Sequence, residues 1–432
     1  MKFKLNKGKV ITEVVKDNLC TGCGTCVALC PLSAIEMVKD DSKGIYLPRL
    51  EGDKCNQCGI CFDVCPGHSV DFKELNQDIF GREPDDILLG NYLNCYIGHA
   101  TDYDIRYNSS SGGLVTALLI FALEEEIIDG ALVTRMKKDK PLEPEPFVAR
   151  TREEIIEASK SKYCPVPANI ALKEILEKDG KYAVVGLPCH IQGIRKAEMV
   201  NKKLRERIAL HVGIFCSGIP NFRATEYLLR TLNLRVEDIA ELSYRGEGWP
   251  GNMSLYFKGG NTELIPYPVY WDGFGSLFFL PRCIGCLDWF SKLADISLGD
   301  AWLPEIKEAD GIGTSIIVSR TKEADDILQQ MLRKGAIALS PISADKVYET
   351  QGGLSHKKKQ LKARLTISRL FGRKVPVCNY DHLPQPSLPD YLNSALLYAG
   401  SLFASKRSLW WLLDIYCSLL RYGSRLKSKL GL

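Results

Sequence analysis

Eight of the sixteen cysteines in this 432-residue chain fall between Cys20 and Cys65, in two runs of identical spacing, each closed by a proline. The first reads Cys20-Thr-Gly-Cys23-Gly-Thr-Cys26-Val-Ala-Leu-Cys30-Pro31, and the second Cys55-Asn-Gln-Cys58-Gly-Ile-Cys61-Phe-Asp-Val-Cys65-Pro66. This C-x2-C-x2-C-x3-C-P spacing lets one tight loop offer three thiolates to three corners of an iron–sulfur cubane, while the fourth cysteine opens a helix leading to the other cluster. The pairing is therefore crossed: Cys20, Cys23, Cys26 and Cys65 for one 4Fe-4S cluster, and Cys55, Cys58, Cys61 and Cys30 for the other. Gly22, Gly24 and Gly59 let the backbone bend around the metal. Tetrahedral zinc, the alternative for paired CxxC units, would leave the third cysteine of each loop unused.

The two runs have the form of a bacterial two-cluster ferredoxin domain, expected over residues 1–75, with short strands at 10–15 and 45–50. Reduced, metal-binding cysteines imply a cytoplasmic protein, and Met1-Lys-Phe-Lys-Leu-Asn-Lys lacks the apolar segment of a secretory signal. A net charge of +4 gives no argument for a nucleic-acid partner. No run of eighteen apolar residues occurs, which excludes an ordinary spanning helix.

Beyond a polar linker at 76–90, a second domain opens with a strand over 91–100. Asn108-Ser-Ser-Ser-Gly-Gly then runs into an apolar helix. Ser109 to Ser111 are candidate caps, and Gly112 and Gly113 leave room for a ligand at a helix N-terminus suited to phosphate. A strand over 181–186, a basic helix over 191–207 and a strand over 208–215 form a unit whose strands should be parallel neighbours. Cys189 and Cys216 follow those strands, where open α/β sheets place ligands. Arg282-Cys283-Ile-Gly-Cys286 offers half of a four-thiolate site that Cys189 and Cys216 could complete. Spacing alone equally allows two buried thiols beside an unrelated CxxC, or zinc. His190 reads better as a loop histidine than as a proton donor.

Residues 244–267 read as a turn-rich loop and a hairpin. The run from His356 to Arg364 is basic, suited to a solvated face or to an anionic partner. In the tail, Trp410, Leu413, Cys417 and Leu420 share a helical face flanked by Arg425, Lys427 and Lys429. That pattern suits either peripheral membrane contact or docking on the protein's own body.

Ser-Ser-Ser-Gly-Gly, Ser-Lys-Tyr, Pro-Cys, Phe-Cys-Ser-Gly, Trp-Pro-Gly, Arg-Cys-x-x-Cys and Ala-Asp-Ile-Ser-Leu-Gly-Asp-Ala-Trp occur in this order. Over about residues 1–345 the chain thus resembles the beta subunits of coenzyme F420 hydrogenases and dehydrogenases. Two departures are Lys160, where the family often has glycine, and His190, where it often has glutamine. The resemblance implies a multidomain α+β and α/β fold: the ferredoxin domain, a mixed α/β flavin- and iron–sulfur-binding domain at 91–345, and a basic linker with an amphipathic helical tail at 346–432. It implies noncovalent FAD contacted by Ser110, Ser111, Gly112, Gly113, Lys162 and Tyr163. It also implies a third 4Fe-4S cluster on Cys189, Cys216, Cys283 and Cys286. Hydride exchange with coenzyme F420 or another small molecule follows, as does electron transfer with ferredoxin or a partner subunit. No catalytic side chain is assigned.

Overall fold

Between the two cysteine runs, β1 (Ile35–Asp40) and β2 (Ile45–Leu50) pair antiparallel. The computed structural model describes residues 5–84, 86–274, 276–351, 353–378 and 383–418; the side chains of 272–274 and 353–359 are outside that description. The strand expected at 10–15 is instead the helix Ile11–Lys16. Ile11 and Val14 are its buried residues, three apart, and the Glu13 side chain accepts from the Val10 N–H at 3.4 Å. Helical periodicity and the cap outweigh the β-branched composition.

The segment expected as a linker is packed as well. Asp71 caps the helix Phe72–Phe80 by accepting from the Glu74 N–H at 3.0 Å, and Gly81 ends it at φ 69°. Leu75, Leu88 and Leu89 are buried, and Asn91 donates to Asn76 at 2.8 Å.

The centre of the molecule is an eight-stranded sheet. In chain order it takes β3 (Asn94–Ala100), β4 (Gly130–Met136), β5 (Pro144–Ala149), β6 (Tyr182–Gly186) and β7 (Ile208–Ile214). A separate three-stranded antiparallel sheet follows: β8 (Ile239–Ser243), β9 (Asn252–Phe257) and β10 (Thr262–Pro266). The large sheet is completed by β11 (Ile296–Asp300), β12 (Ser315–Ser319) and β13 (Ile337–Pro341). Its order is β13-β3-β12-β11-β7-β6-β4-β5. β4, β6, β7 and β11 are mutually parallel and central, whereas β5, β12 and β3 pair antiparallel.

That order gathers the carboxyl ends of four parallel strands on one edge, as the β6-helix-β7 expectation required. The apolar helix Leu114–Glu124 packs on one face; Leu118 and Leu119 are each 2% exposed. Burying each such side chain contributes about 1.5–3 kcal/mol.

Past residue 345, the helices Gly353–Leu370 and Leu388–Ala404 pack on each other, and 410–418 is helical. Trp410 and Leu413, on the face that suited either membrane contact or docking on the protein's own body, are buried against Tyr227 and Phe278. Asp414 accepts from the Tyr227 hydroxyl at 2.7 Å and from Arg230 at 2.9 Å. Burial on the protein's own aromatic cluster therefore uses the face that a bilayer would have covered. Leu420, Arg425, Lys427 and Lys429 lie outside the described residues. Among the described residues no helix is long and apolar enough to cross a membrane.

Candidate functional site

Each cysteine loop turns through a left-handed glycine, Gly24 and Gly59, both at φ 88°, that starts a four-residue helix. Helix direction then carries the fourth cysteine across, and the sulfurs fall into the crossed groups. The Cys26 thiol is raised by burial and by its neighbours Cys23, Cys20 and Cys65. The Cys61 thiol is pushed up to about 11 by burial first, and Cys58, Cys30 and Cys55 crowd it. Backbone amides point at sulfur in both groups: Gly22 N–H to Cys20 Sγ at 3.4 Å, Gly67 to Cys65 at 3.3 Å, Ala34 to Cys30 at 3.3 Å and Gln57 to Cys55 at 3.4 Å. Such bonds favour thiolate and tune a cluster's potential. Among the described residues no three His, Cys, Asp or Glu side chains converge as a single metal ion requires. Cys30, Cys55, Cys58 and Cys61 line one cavity, an arrangement that suits the corners of a cubane.

A third group forms at the strand ends. Cys189, in the first turn of the helix Pro188–Val200, is raised by burial and by Cys23, Cys283, Cys216 and Cys286 around it. Cys216 follows β7, and the Cys216 N–H donates to Trp289 O at 2.9 Å, fixing it beside the CxxC segment. Because Cys189 neighbours Cys23 and Cys26 neighbours Cys61, the three thiol groups form a series with the first run in the middle. The same helix supports two of them: the Lys196 ammonium donates to Cys65 O at 2.7 Å and Ser69 O at 2.8 Å. Burial brings this lysine down to about 8. Arg282 bridges likewise, donating to Gly67 O at 2.7 Å. His190 is buried, bonded to Val166 O at 3.0 Å and lowered to about 4 by burial, as suits a structural histidine.

Along the same edge, the Ser161 N–H donates to Ser110 Oγ at 2.7 Å, joining the two segments expected at a flavin. Ser110 and Ser111 are partly exposed. Other expectations there change. The cap of the helix Leu114–Glu124 is Gly113, with no side-chain cap bond; Ser109 donates to Ile105 O and Ser111 to Thr314 O. Gly112 is small because the protein's own backbone approaches: a Cβ would lie 2.7 Å from Gly98 O and 2.9 Å from Ser315 N. At Gly113, a Cβ would lie 3.0 Å from Arg106 Cα. The Lys162 ammonium donates to the carbonyls of Ala158, Ser159 and Lys160 at 2.6, 2.6 and 2.9 Å, and burial lowers it to about 7. Tyr163 is held among Tyr244, Tyr270 and Trp271.

One pair escaped the sequence reading. Arg245, 1% exposed, forms a fork with Asp300 at 2.9 and 3.2 Å, and Trp249 Nε1 donates to the same carboxylate at 2.8 Å. Trp302 stands 4.7 Å from Trp249 and 5.3 Å from Tyr267, and the guanidinium lies 4.9 Å from the Tyr267 ring. The signal was present in Arg-Gly-Glu-Gly-Trp-Pro-Gly and Gly-Asp-Ala-Trp, whose glycines and tryptophans exceed what a plain turn needs.

The fold and these cysteines define an iron–sulfur protein built on a mixed α/β sheet. Residues 19–69 match the 4Fe-4S dicluster domain. Residues 95–173 and 179–345 match the N-terminal and C-terminal models of the coenzyme F420 hydrogenase/dehydrogenase beta subunit. The coenzyme F420 hydrogenase subunit beta of Methanosarcina barkeri is 33% identical over 290 residues, covering 65% of this chain and 91% of that one. A subunit of the F(420)H(2) dehydrogenase of Methanosarcina mazei is 25% identical, covering 68% of this chain and 79% of its own length. A chain of the F420-reducing [NiFe] hydrogenase complex from Methanosarcina barkeri superposes with a TM-score of 0.52 at 28% identity, over 66% of this chain and 96% of that one. The chain belongs to the coenzyme F420 hydrogenase/dehydrogenase beta subunit family.

Proposed function

We propose that this protein is an iron–sulfur flavoprotein oxidoreductase. It exchanges hydride between an organic substrate, best matched by coenzyme F420, and a noncovalent FAD. Single electrons then pass through three 4Fe-4S clusters to or from ferredoxin or a partner subunit. The observation that carries this reading is the meeting of Cys189, Cys216, Cys283 and Cys286 between the first cysteine run and the strand-end loops. The relatives' names supply the substrate class.

FAD when bound supplies the change between two-electron and one-electron chemistry. Ser110 and Ser111 are the partly exposed hydroxyls that would face it. Gly112, Lys162 and Tyr163 act from behind, by packing and by locking the loop. The forked Arg245–Asp300 pair holds Trp249 and the loop around it in place, keeping water from the edge where hydride would move. Cys20, Cys23, Cys26 and Cys65 would hold the central cluster, and Cys30, Cys55, Cys58 and Cys61 the outermost one, each supplying one-electron chemistry when bound.

A second reading is an electron-relay subunit without flavin, favoured by the use of Lys162 and Gly112 within the protein itself. One experiment separates the two. Protein purified without oxygen should carry FAD and about twelve irons, four per cubane. Reduced coenzyme F420 should bleach both flavin and cluster absorbance. Clusters without FAD would leave the relay, and FAD with no response would send the search to another hydride donor.

A further inference from the structure

Beyond the last family match, which ends at residue 345, the charge of the chain reverses. From Gly353 to Leu432 the sequence holds fourteen Lys and Arg against three Asp and no Glu, a net of +11; the whole chain sums to +4, so the rest carries −7. Asp390 is buried as a cap, accepting from the Ser387 N–H at 2.8 Å and hydroxyl at 2.6 Å. Asp414 is taken by Tyr227 and Arg230, and Asp381 lies outside the described residues. Arg369, Lys374, Lys406 and Arg407 are exposed, Arg407 meeting Glu226 at 2.7 Å.

The same segment leaves large apolar side chains in solvent. On the helix Leu388–Ala404, Leu388, Leu392 and Leu396 recur every fourth residue and are all exposed, Leu388 at 72%. On the helix over 410–418, Trp410 and Leu413 turn into the body, so Trp411 and Ile415, on the other side, stay outside. Leu370 and Phe371 are exposed where the helix Gly353–Leu370 ends. Contacts join the three pieces: Phe371 stacks on Tyr398 at 4.5 Å, and Tyr416 meets Phe403 at 6.3 Å and donates to Leu396 O at 3.0 Å. Gly400 admits the Tyr416 ring, since a Cβ there would lie 3.0 Å from Tyr416 Cε1. The helix Leu388–Ala404 thus lies between the other two pieces, and Arg373 lies 4.3 Å over the Tyr398 ring.

An exposed apolar face of this kind marks a docking surface, and charge selects its occupant. A second copy of this chain would set one basic segment against another. A bilayer with anionic headgroups matches both features: leucines enter the acyl boundary, the Trp411 and Phe371 rings sit at headgroup depth, and the basic side chains reach the negative surface.

We propose that the outward face of the helices Leu388–Ala404 and 410–418, with the turn at Phe371, docks the protein on an anionic lipid surface without crossing it. The inference is independent of the cofactors in the proposed function.

Flotation of the anaerobically purified full-length protein tests it, with vesicles of phosphatidylcholine alone and of equal parts phosphatidylcholine and phosphatidylglycerol. Binding to the mixed vesicles should be about tenfold stronger and fall with added salt. Replacing Leu392, Trp411 and Ile415 together by serine should abolish it while iron content and melting temperature hold. Leu332→Ser, at an exposed leucine of the helix Lys322–Arg333, should leave it unchanged. If the triple variant does not fold, Lys374→Gln with Lys406→Gln should remove most of the preference for the mixed vesicles. Equal binding to both vesicle types, or binding that neither variant alters, overturns the proposal. No binding at all would give the face to a protein partner, and a wild-type dimer that the triple variant converts to monomer would give it to a second copy; either result overturns the lipid assignment.

Discussion

Cys23 and Cys58 hold the same place in two copies of one motif, but their surroundings differ. Cys23 is 6% exposed; its carbonyl accepts from the Asn169 N–H at 2.9 Å, and Thr25 Oγ1 beside it accepts from Asn169 Nδ2 at 2.8 Å. Cys58 sits in a loop whose Asn56 and Gln57 face solvent. A Cβ on Gly24 would lie 2.6 Å from Ile170 Cγ2 in the α/β domain, whereas one on Gly59 would lie 2.5 Å from Asn6 O. The motif fixes ligand geometry alone; the chain folded over it decides which copy is interior and which is exposed.

Replacing the cysteines tests that contrast most severely. Cys23→Ser and Cys58→Ser should each lose about four irons. Only the first should also lose most of the folded protein at 37 °C, measured by thermal unfolding and iron assay. Equal melting losses would break the comparison.

The glycines sharpen it. Gly24→Ala should cost about 2–5 kcal/mol, from a left-handed backbone penalty of about 1–2 and overpacking of about 1–3 kcal/mol. Gly59→Ala carries the same left-handed penalty, and its Cβ would lie 2.5 Å from Asn6 O, so it should cost a similar amount. Denaturant titration of both variants measures the two costs.

Lys196→Met should cost about 1–3 kcal/mol by orphaning the carbonyls of Cys65 and Ser69. It should also lower the potential of the buried cluster and leave that on Cys58 unchanged; equal shifts would show that the lysine acts only through stability.

A pH profile probes the support of the buried run from below. On the helix Pro188–Val200, Arg195 and Glu198 meet His211 and Asp295: His211 bonds Glu198 at 2.7 Å and Asp295 at 2.9 Å. Burial and Arg195 oppose the imidazolium, but the two carboxylates outweigh them and raise His211 above its ordinary value. Its stabilisation is present below the unfolded value of about 6.5 and is lost as pH rises through the folded one. Asp295 is held low, so its share is lost only in strong acid. His211→Gln should flatten the alkaline fall in stability; an unchanged slope would remove His211 as its cause.

On the exposed side, Glu13→Gln breaks a surface pair with Lys9 whose side chains are 56% and 40% exposed. Urea titration should find the unfolding midpoint unchanged within error.

Legibility in the sequence followed the range of each interaction. The crossed cysteine groups could be read because a ligand loop and its helix are set within a few residues. The β6-helix-β7 unit could be read because apolar strands flank a basic helix. At 10–15, helical spacing of Ile11 and Val14 competed with β-branched composition, and tertiary burial of that face decided. Lys162 looked like a ligand group until its folding back onto three carbonyls was visible, and Arg245 and Asp300 are too far apart in sequence for their pairing to show.

By itself, then, the sequence determined the ligand spacing, the left-handed glycines, the parallel strand unit and the family. These depend on residue order and local backbone geometry. Only the tertiary structure decided which cysteine run is buried, that Trp410 and Leu413 face the protein's own aromatics, and that Leu361 and Leu397 line a cavity with Cys283 and Cys286. An apolar face or a buried charge specifies that it must be covered or paired; its partner is chosen by the packing of segments distant along the chain.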